Sequence, residues 1–285
     1  MHRGADLLRE DLDAAERCYR QAIDGDPSLR GAWFDLGLVH KWRHEWAESL
    51  ACNQRAAALR VHRNADDAGD PAHWNAGIAA TALHDWEAAR TAWRGYGIRI
   101  DDGEGPIQQS FGMGVVRLQP DERGETVWGR RIDPARVVIE SIPLTDSGFR
   151  SGDTVLHDGE PQGERSFGGT TYYVFNVLER WEASPHPTVE VIVETTVELA
   201  NELIAQMRDA GLAAENWTTS VVAHCVACSY GRLDFDHPDH AHDAPTAGDG
   251  TVSVGCSGDP DQIRAEVTRW STESGVRVLS VVADV

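Results

Sequence analysis

The sequence predicts an α+β multidomain protein: helical hairpins over residues 1–100, a small antiparallel β module over 106–183, and a βαββαβ domain over 187–285. Three observations predict it. Spacings of small and aromatic residues recur through the first hundred positions. Short β-branched runs separated by turn residues follow. From Pro187 onward, strand and helix patterns alternate in a readable order.

The helical part is read by aligning Leu12, Trp46 and Trp86, which stand 34 and 40 residues apart. Three residues beyond each comes a small residue (Ala15, Ser49, Ala89). Seven beyond come Tyr19, Asn53 and Trp93, and ten beyond come Ala22, Ala56 and Tyr96. Gly37 and Gly77 each precede the following tryptophan, Trp46 and Trp86, by nine residues. Small residues let paired helices approach closely, and large ones a turn away fill the space between them. The longer second interval fits an insertion in the turn-rich stretch 64–71, NADDAGDP. Two full hairpins and a leading helix are expected, with Trp46, Trp86 and Trp93 filling the inter-helix core.

The W-F-D-L-G run at 33–37, the spacing of Ala15 and Ala22, and Pro27 after the leading helix resemble the tetratricopeptide repeat (TPR) family over about 90 residues. The departures are Asn53 in place of an aromatic, Tyr96 in place of a small residue, and a first repeat lacking most of its first helix. The resemblance implies a groove for a protein or peptide partner, lined by the first helix of each pair. Carried onto this chain, that face comprises Phe34, Leu38, Lys41 and Trp42, then Trp74, Ile78 and Thr81, with Lys41 expected to be solvated.

In the middle, strands are expected at 114–118, 125–130, 136–142, 153–157 and 171–177. Turns are expected at DERG, DP, SGFRSGD and DGEPQGERSFGG. Such short strands suit a small antiparallel barrel or sandwich. The F-G-M-G run at 111–114 lacks the strand–loop–helix setting and the lysine of a phosphate loop.

The last part reads as a strand at 188–194, an amphipathic helix at 197–210 ended by Gly211, and a strand at 218–227. A strand at 251–256, a helix at 260–274 capped by Asp259 or Ser257 and ended by Gly275, and a final strand at 277–283 complete it. This order resembles the ferredoxin-like split βαβ arrangement, a fold that does not by itself decide function.

Between the second and third of those strands lies HCVACSYGRLDFDHPDHAHD (224–243). Cys225 and Cys228, spaced to turn onto one ion, with His237 and His240 or Cys256, form a candidate tetrahedral Zn(II) set. The alternative is a solvated acidic loop beside ordinary strand cysteines.

Composition bounds the function. Ten tryptophans and an apolar fraction of 41% argue for folded domains. The formal charge is −20, carried mostly by residues 101–285, where 31 acidic residues face 13 basic ones. Such a surface repels phosphate backbones and anionic membranes, so neither nucleic acid nor membrane is an expected partner. The acidic start does not read as a signal peptide, and five sparse cysteines do not read as a disulfide framework, so a cytoplasmic setting is expected. No Ser/His/Asp motif, Walker loop, HExxH or nucleophile elbow is present. The leading expectation is a protein-interaction adapter, regulator or immunity-type binder. Behind it stand a metal or small-molecule sensor centred on the C-terminal domain, and third a metal-dependent hydrolase.

Overall fold

Aspartates set the starts of three of the N-terminal helices. In the computed structural model, which describes residues 11–60, 69–120, 124–221, 230 and 250–283, Asp11 Oδ1 accepts from Ala14 N at 2.8 Å and opens α1 (Leu12–Gly25). Helices α2 (Arg30–Trp42) and α3 (Trp46–Ala58) start without a side-chain cap bond. Asp70 caps α4 (Pro71–Ala82) through Ala72 N at 3.0 Å, with Pro71 at the first helical position, where its missing N–H costs nothing. Asp85 caps α5 (Trp86–Tyr96) through Ala88 N at 3.0 Å.

Helices α2/α3 and α4/α5 make two pairs with matching detail. Each pair turns on a histidine in the left-handed region, His44 at φ 57° and His84 at φ 59°. The next backbone N–H reaches back to the helix it leaves, Glu45 N to His40 O and Asp85 N to Ala80 O, both at 2.9 Å. A glycine in the first helix lies under a large residue of the second. A Cβ on Gly37 would stand 2.5 Å from Asn53 Nδ2, and one on Gly77 2.6 Å from the Trp93 ring. At the first of these approaches Ser49 donates its hydroxyl to Gly37 O at 2.9 Å, and Asn53 Nδ2 donates to Ser49 O at 2.8 Å. Helix α4 is buried from Asn75 through Thr81 because it lies between α3 and α5, as a helix apolar all round must.

The tryptophans divide differently from expectation. Trp93 is fully buried and meets Trp74 edge to face at 5.2 Å. Trp46 and Trp86 are half-buried at the first position of α3 and α5, beside His44 and His84 at 5.2 and 5.8 Å. They cover the histidine turns instead of filling the space between helices.

The chain divides into two compact units. Residues 1–110 with 132–135 make one, and residues 111–131 with 136–285 make the other. The second holds both the strands expected of the middle module and those expected of the C-terminal domain. In it, β1 (Met113–Arg117), β2 (Thr126–Arg131), β3 (Arg136–Ile139), β4 (Thr154–Phe167) and β5 (Thr170–Glu182) close into a barrel. Successive strands pair antiparallel, while closure is parallel, Val115 lying opposite Val174 on β5. Val116, Leu118, Val127, Val137, Ile139, Val155 and Val177 fill it.

The stretch 158–169, expected as one long turn, is mostly strand. The β4–β5 pairing runs to Phe167, and only Gly168 and Gly169, at φ 58° and 79°, make the turn. Register shifts on either side of Pro161 absorb the residues that made the segment look irregular. Buried polar side chains brace the barrel. Arg117 donates to Asn176 Oδ1 at 2.8 Å and Gln162 O at 3.0 Å. Asp153 accepts from Ser184 N at 2.7 Å and pairs with Arg180 at 2.9 Å.

The rest of this unit is a four-stranded sheet of β6 (Thr188–Glu194), β7 (Ala213–Asn216), β8 (Thr251–Ser257) and β9 (Arg277–Ala283). Its order is β7-β8-β6-β9, with every pairing antiparallel. Helix α6 (Val197–Asp209) links β6 to β7, and α7 (Pro260–Ser274) links β8 to β9. Val189, Val191, Val193, Val252, Val254 and Cys256 meet Leu203, Ile204, Met207, Ile263, Val267 and Trp270 of the helices to form the core. Gly211 at φ 79° and Gly275 at φ 71° let the chain leave each helix, as their spacing predicts. Among the described residues the strand after α6 lies at Ala213–Asn216, starting soon after Gly211, and Trp217–Ser220 form a helical turn at the start of the span expected as strand, whose residues 222–227 lie outside the described residues. Trp217 explains the exit from the sheet. Its ring covers Gly255, where a Cβ would stand 2.2 Å away, and its Nε1 donates to Ile142 O at 3.0 Å.

Among the described residues no helix is long and apolar enough to cross a membrane.

Candidate functional site

Two regions gather functional chemistry, the outer face of α2 in the first unit and a cleft in the second. On α2, Phe34, Leu38 and Trp42 follow one another at a spacing of four and are each half-buried. That spacing stacks them on one face. Leu36 and Val39, at 2% and 0% exposure, face the core. The helix therefore carries a half-buried apolar stripe beside its fully buried residues.

The remaining residues expected to line a groove are placed otherwise. Lys41 is buried, with Nζ donating to Asn75 Oδ1 on α4 at 3.1 Å. Its expected solvation is thus a correction: the stem packs between helices and the ammonium meets an amide of α4. Ile78 and Thr81 are fully buried, and Thr81 donates its hydroxyl to Gly77 O at 2.7 Å. Neither presents a surface. Trp74 is half-buried against Trp93 and, at 4.8 Å, against Tyr96, so it belongs mainly to the joint between α4 and α5.

Of the candidate zinc ligands, Cys225, Cys228, His237 and His240 lie outside the described residues. Cys256 lies in the sheet core, fully buried between Val189 of β6 and Ala214 of β7 across the ladder. Burial pushes its thiol up to about 12.

The cleft lies between the barrel and the four-stranded sheet and has a volume of about 710 Å³. Glu125, just before β2, and Glu215, on β7, both line it. Each accepts one backbone N–H from the β3-to-β4 connection. Glu125 Oε1 takes Leu144 N at 3.2 Å, and Glu215 Oε2 takes Ile142 N at 3.1 Å. Burial raises the Glu125 carboxyl to about 7, with Glu215's negative charge adding to the rise and the Leu144 bond opposing it. Trp128, Phe167 and Trp217 supply aromatic walls. Trp128 sits 5.7 Å from Phe167 and 5.2 Å from Tyr172, and Phe167 is 64% exposed. Arg165 lines the same space, and burial lowers its pKa.

Family models, curated proteins and solved structures were compared with this chain, and none matches.

The cleft escaped sequence reading because its parts come from segments far apart in the chain. The only local hint was E-x2-W at 125–128, a pattern too common to single out.

Proposed function

We propose that this protein is a protein-binding adapter whose N-terminal helix pairs are TPR-like and whose C-terminal sheet domain is a ferredoxin-like module. The observation that carries the reading is the stripe of Phe34, Leu38 and Trp42, half-buried at a spacing of four on a helix whose other apolar face is already packed. A partner's amphipathic or extended segment laid along α2 would bury that stripe, in the manner of helix-groove recognition. The matched turns and glycine approaches of α2/α3 and α4/α5 support the repeat reading. The βαββαβ order with strands arranged β7-β8-β6-β9 supports the ferredoxin-like one.

The test replaces the stripe and leaves the core alone. Leu38→Glu with Trp42→Ala should keep the far-UV circular dichroism of the parent and lose the partners that the intact chain retains from a native lysate. An unchanged set of retained proteins rejects the stripe as the binding face.

Zinc binding would rest on Cys225 and Cys228, with His237 and His240 or Cys256 completing the set. Elemental analysis of untagged protein should find about one equivalent of zinc per chain if that set holds the ion. A content far below that removes the metal reading.

A further inference from the structure

We propose that the cleft walled by Glu125 and Glu215 is a binding site for a small amphipathic organic cation, its primary ammonium seated between the two carboxylates and its apolar body against Trp128, Phe167 and Trp217. This site is separate from the α2 stripe and does not depend on the adapter reading.

Three features carry it. First, the space is large enough for a molecule and not merely a few waters: about 710 Å³ falls within the range of small-molecule sites. Second, among the described residues its lining brings together the carboxylates of Glu125 and Glu215, with Asp146, and the guanidinium of Arg165, whose Nη1 donates to the neighbouring Glu164 O at 2.8 Å. Each of the two central carboxylates accepts a single backbone N–H and makes no ion pair with a described residue. A carboxylate has room for several more donors, and an ammonium brings three. Third, the aromatic rings supply what a cation with an apolar body needs. Their faces attract positive charge, and their area is removed from water when the body docks. Phe167 is the most exposed large apolar residue among the described residues, at 64%, and it stands at this cleft.

The arrangement also ties occupancy to a proton. Without a cation, burial and Glu215 raise the Glu125 carboxyl to about 7, so part of the population carries a proton at neutral pH. An ammonium between the carboxylates favours the ionised form, so binding expels that proton. Among the described residues, the charged groups that share the cleft with Glu125 are Glu215, Asp146 and Arg165, and the Arg165 charge opposes cation binding.

Isothermal titration of the full chain tests the site directly. The probes are phenethylamine, tryptamine and cadaverine, with 2-phenylethanol as a neutral molecule of the same body. At least one arylalkylamine should bind saturably, at least tenfold more tightly than 2-phenylethanol, and release a proton, as read by repeating the titration in buffers of different ionisation heat. Glu125→Gln with Glu215→Gln should weaken that binding at least tenfold and remove the proton release. Phe167→Ala, at an exposed position where folding is not at stake, should weaken it severalfold. The proposal is overturned if no amine binds saturably, if the neutral alcohol binds as well as the amine, or if both variants bind as the parent does. Tight binding of cadaverine alone would also overturn it, because an apolar body would then play no part.

Discussion

Replacing Glu125 by Gln separates the cost of its charge from the rest of the fold. In the folded chain this carboxyl is raised from 4.5 to about 7, chiefly by burial and then by Glu215. The folded state thus holds the proton more tightly than the unfolded one. Well below 4.5 both states are protonated, and the side chain costs nothing electrostatic. As pH rises toward 7 the unfolded chain gives up its proton first, so stability falls, and the loss is complete above the folded value. At about 1.4 kcal/mol per pH unit the full difference is roughly 3 kcal/mol. Solvent screening of a half-buried group brings the expected loss to about 2 kcal/mol. Gln keeps an oxygen for the Leu144 N–H and has no charge to lose. Urea melts of parent and variant, without added ligand, should therefore coincide near about pH 4 and diverge by about 2 kcal/mol in favour of the variant near about pH 8. A gap that stays within about 0.5 kcal/mol across that range would refute the reasoning, as would a variant less stable than the parent at the higher pH.

The other predictions concern packing and access. Trp93→Ala should cost about 3–5 kcal/mol in denaturant melts, since the ring is fully buried against Gly77 and Trp74. Trp86→Ala should cost less than half as much, and equal losses would contradict the division of roles drawn for the two rings. Gly77→Ala should destabilise by about 1–3 kcal/mol because its methyl meets the Trp93 ring. Gly31→Ala, with nothing within 4 Å of the added carbon, should be neutral or stabilise by up to about 1 kcal/mol. Among the cysteines of the described residues, thiol labelling of the folded chain should modify the exposed Cys18 first. It should leave Cys52 and Cys256 protected, both buried and with thiols pushed up to about 11 and about 12. Rapid modification of Cys256 would mean the sheet core opens readily.

Where local chemistry decides structure, the sequence was legible. The bounds of β6, α7 and β9 follow from β-branched runs, the Asp259–Pro260 start and Gly275, and they lie where that chemistry puts them. The spacing of Gly37 and Gly77 likewise anticipated the two close helix approaches. Long-range partners were the hidden part. The run around Pro161 reads as a turn because a strand seen alone cannot absorb proline and glycine, whereas pairing with β5 holds it extended. Trp217 pulls its segment out of the sheet by contacts with Ile142 and Gly255, which no window around residue 217 contains. Lys41 looks solvated by type, and only the neighbouring helix supplies Asn75. Of the α2 stripe, Phe34, Leu38 and Trp42 came from the resemblance to the tetratricopeptide repeat family. The paired carboxylates were hidden, because Glu125 and Glu215 meet only through tertiary structure.

The closure of the barrel sets an order of events on the ribosome. Helices α2 to α5 pack chiefly on their neighbours in sequence, so each can settle soon after the next has been made. Strand β1 has no such option on one of its edges. Val115, Val116 and Arg117 find their parallel partners only at Val174, Phe175 and Asn176, and the Arg117 guanidinium is satisfied by Gln162 and Asn176 of the same late segment. Until β5 has been synthesised, β1 has an unpaired edge and Arg117 lacks its Asn176 acceptor. Loop closure over that span carries an entropy cost that the helix pairs do not bear. The unpaired edge of the nascent hairpin is also open to aberrant pairing. A stalled chain ending before Thr170 would carry native-like helices ahead of a barrel that cannot shut.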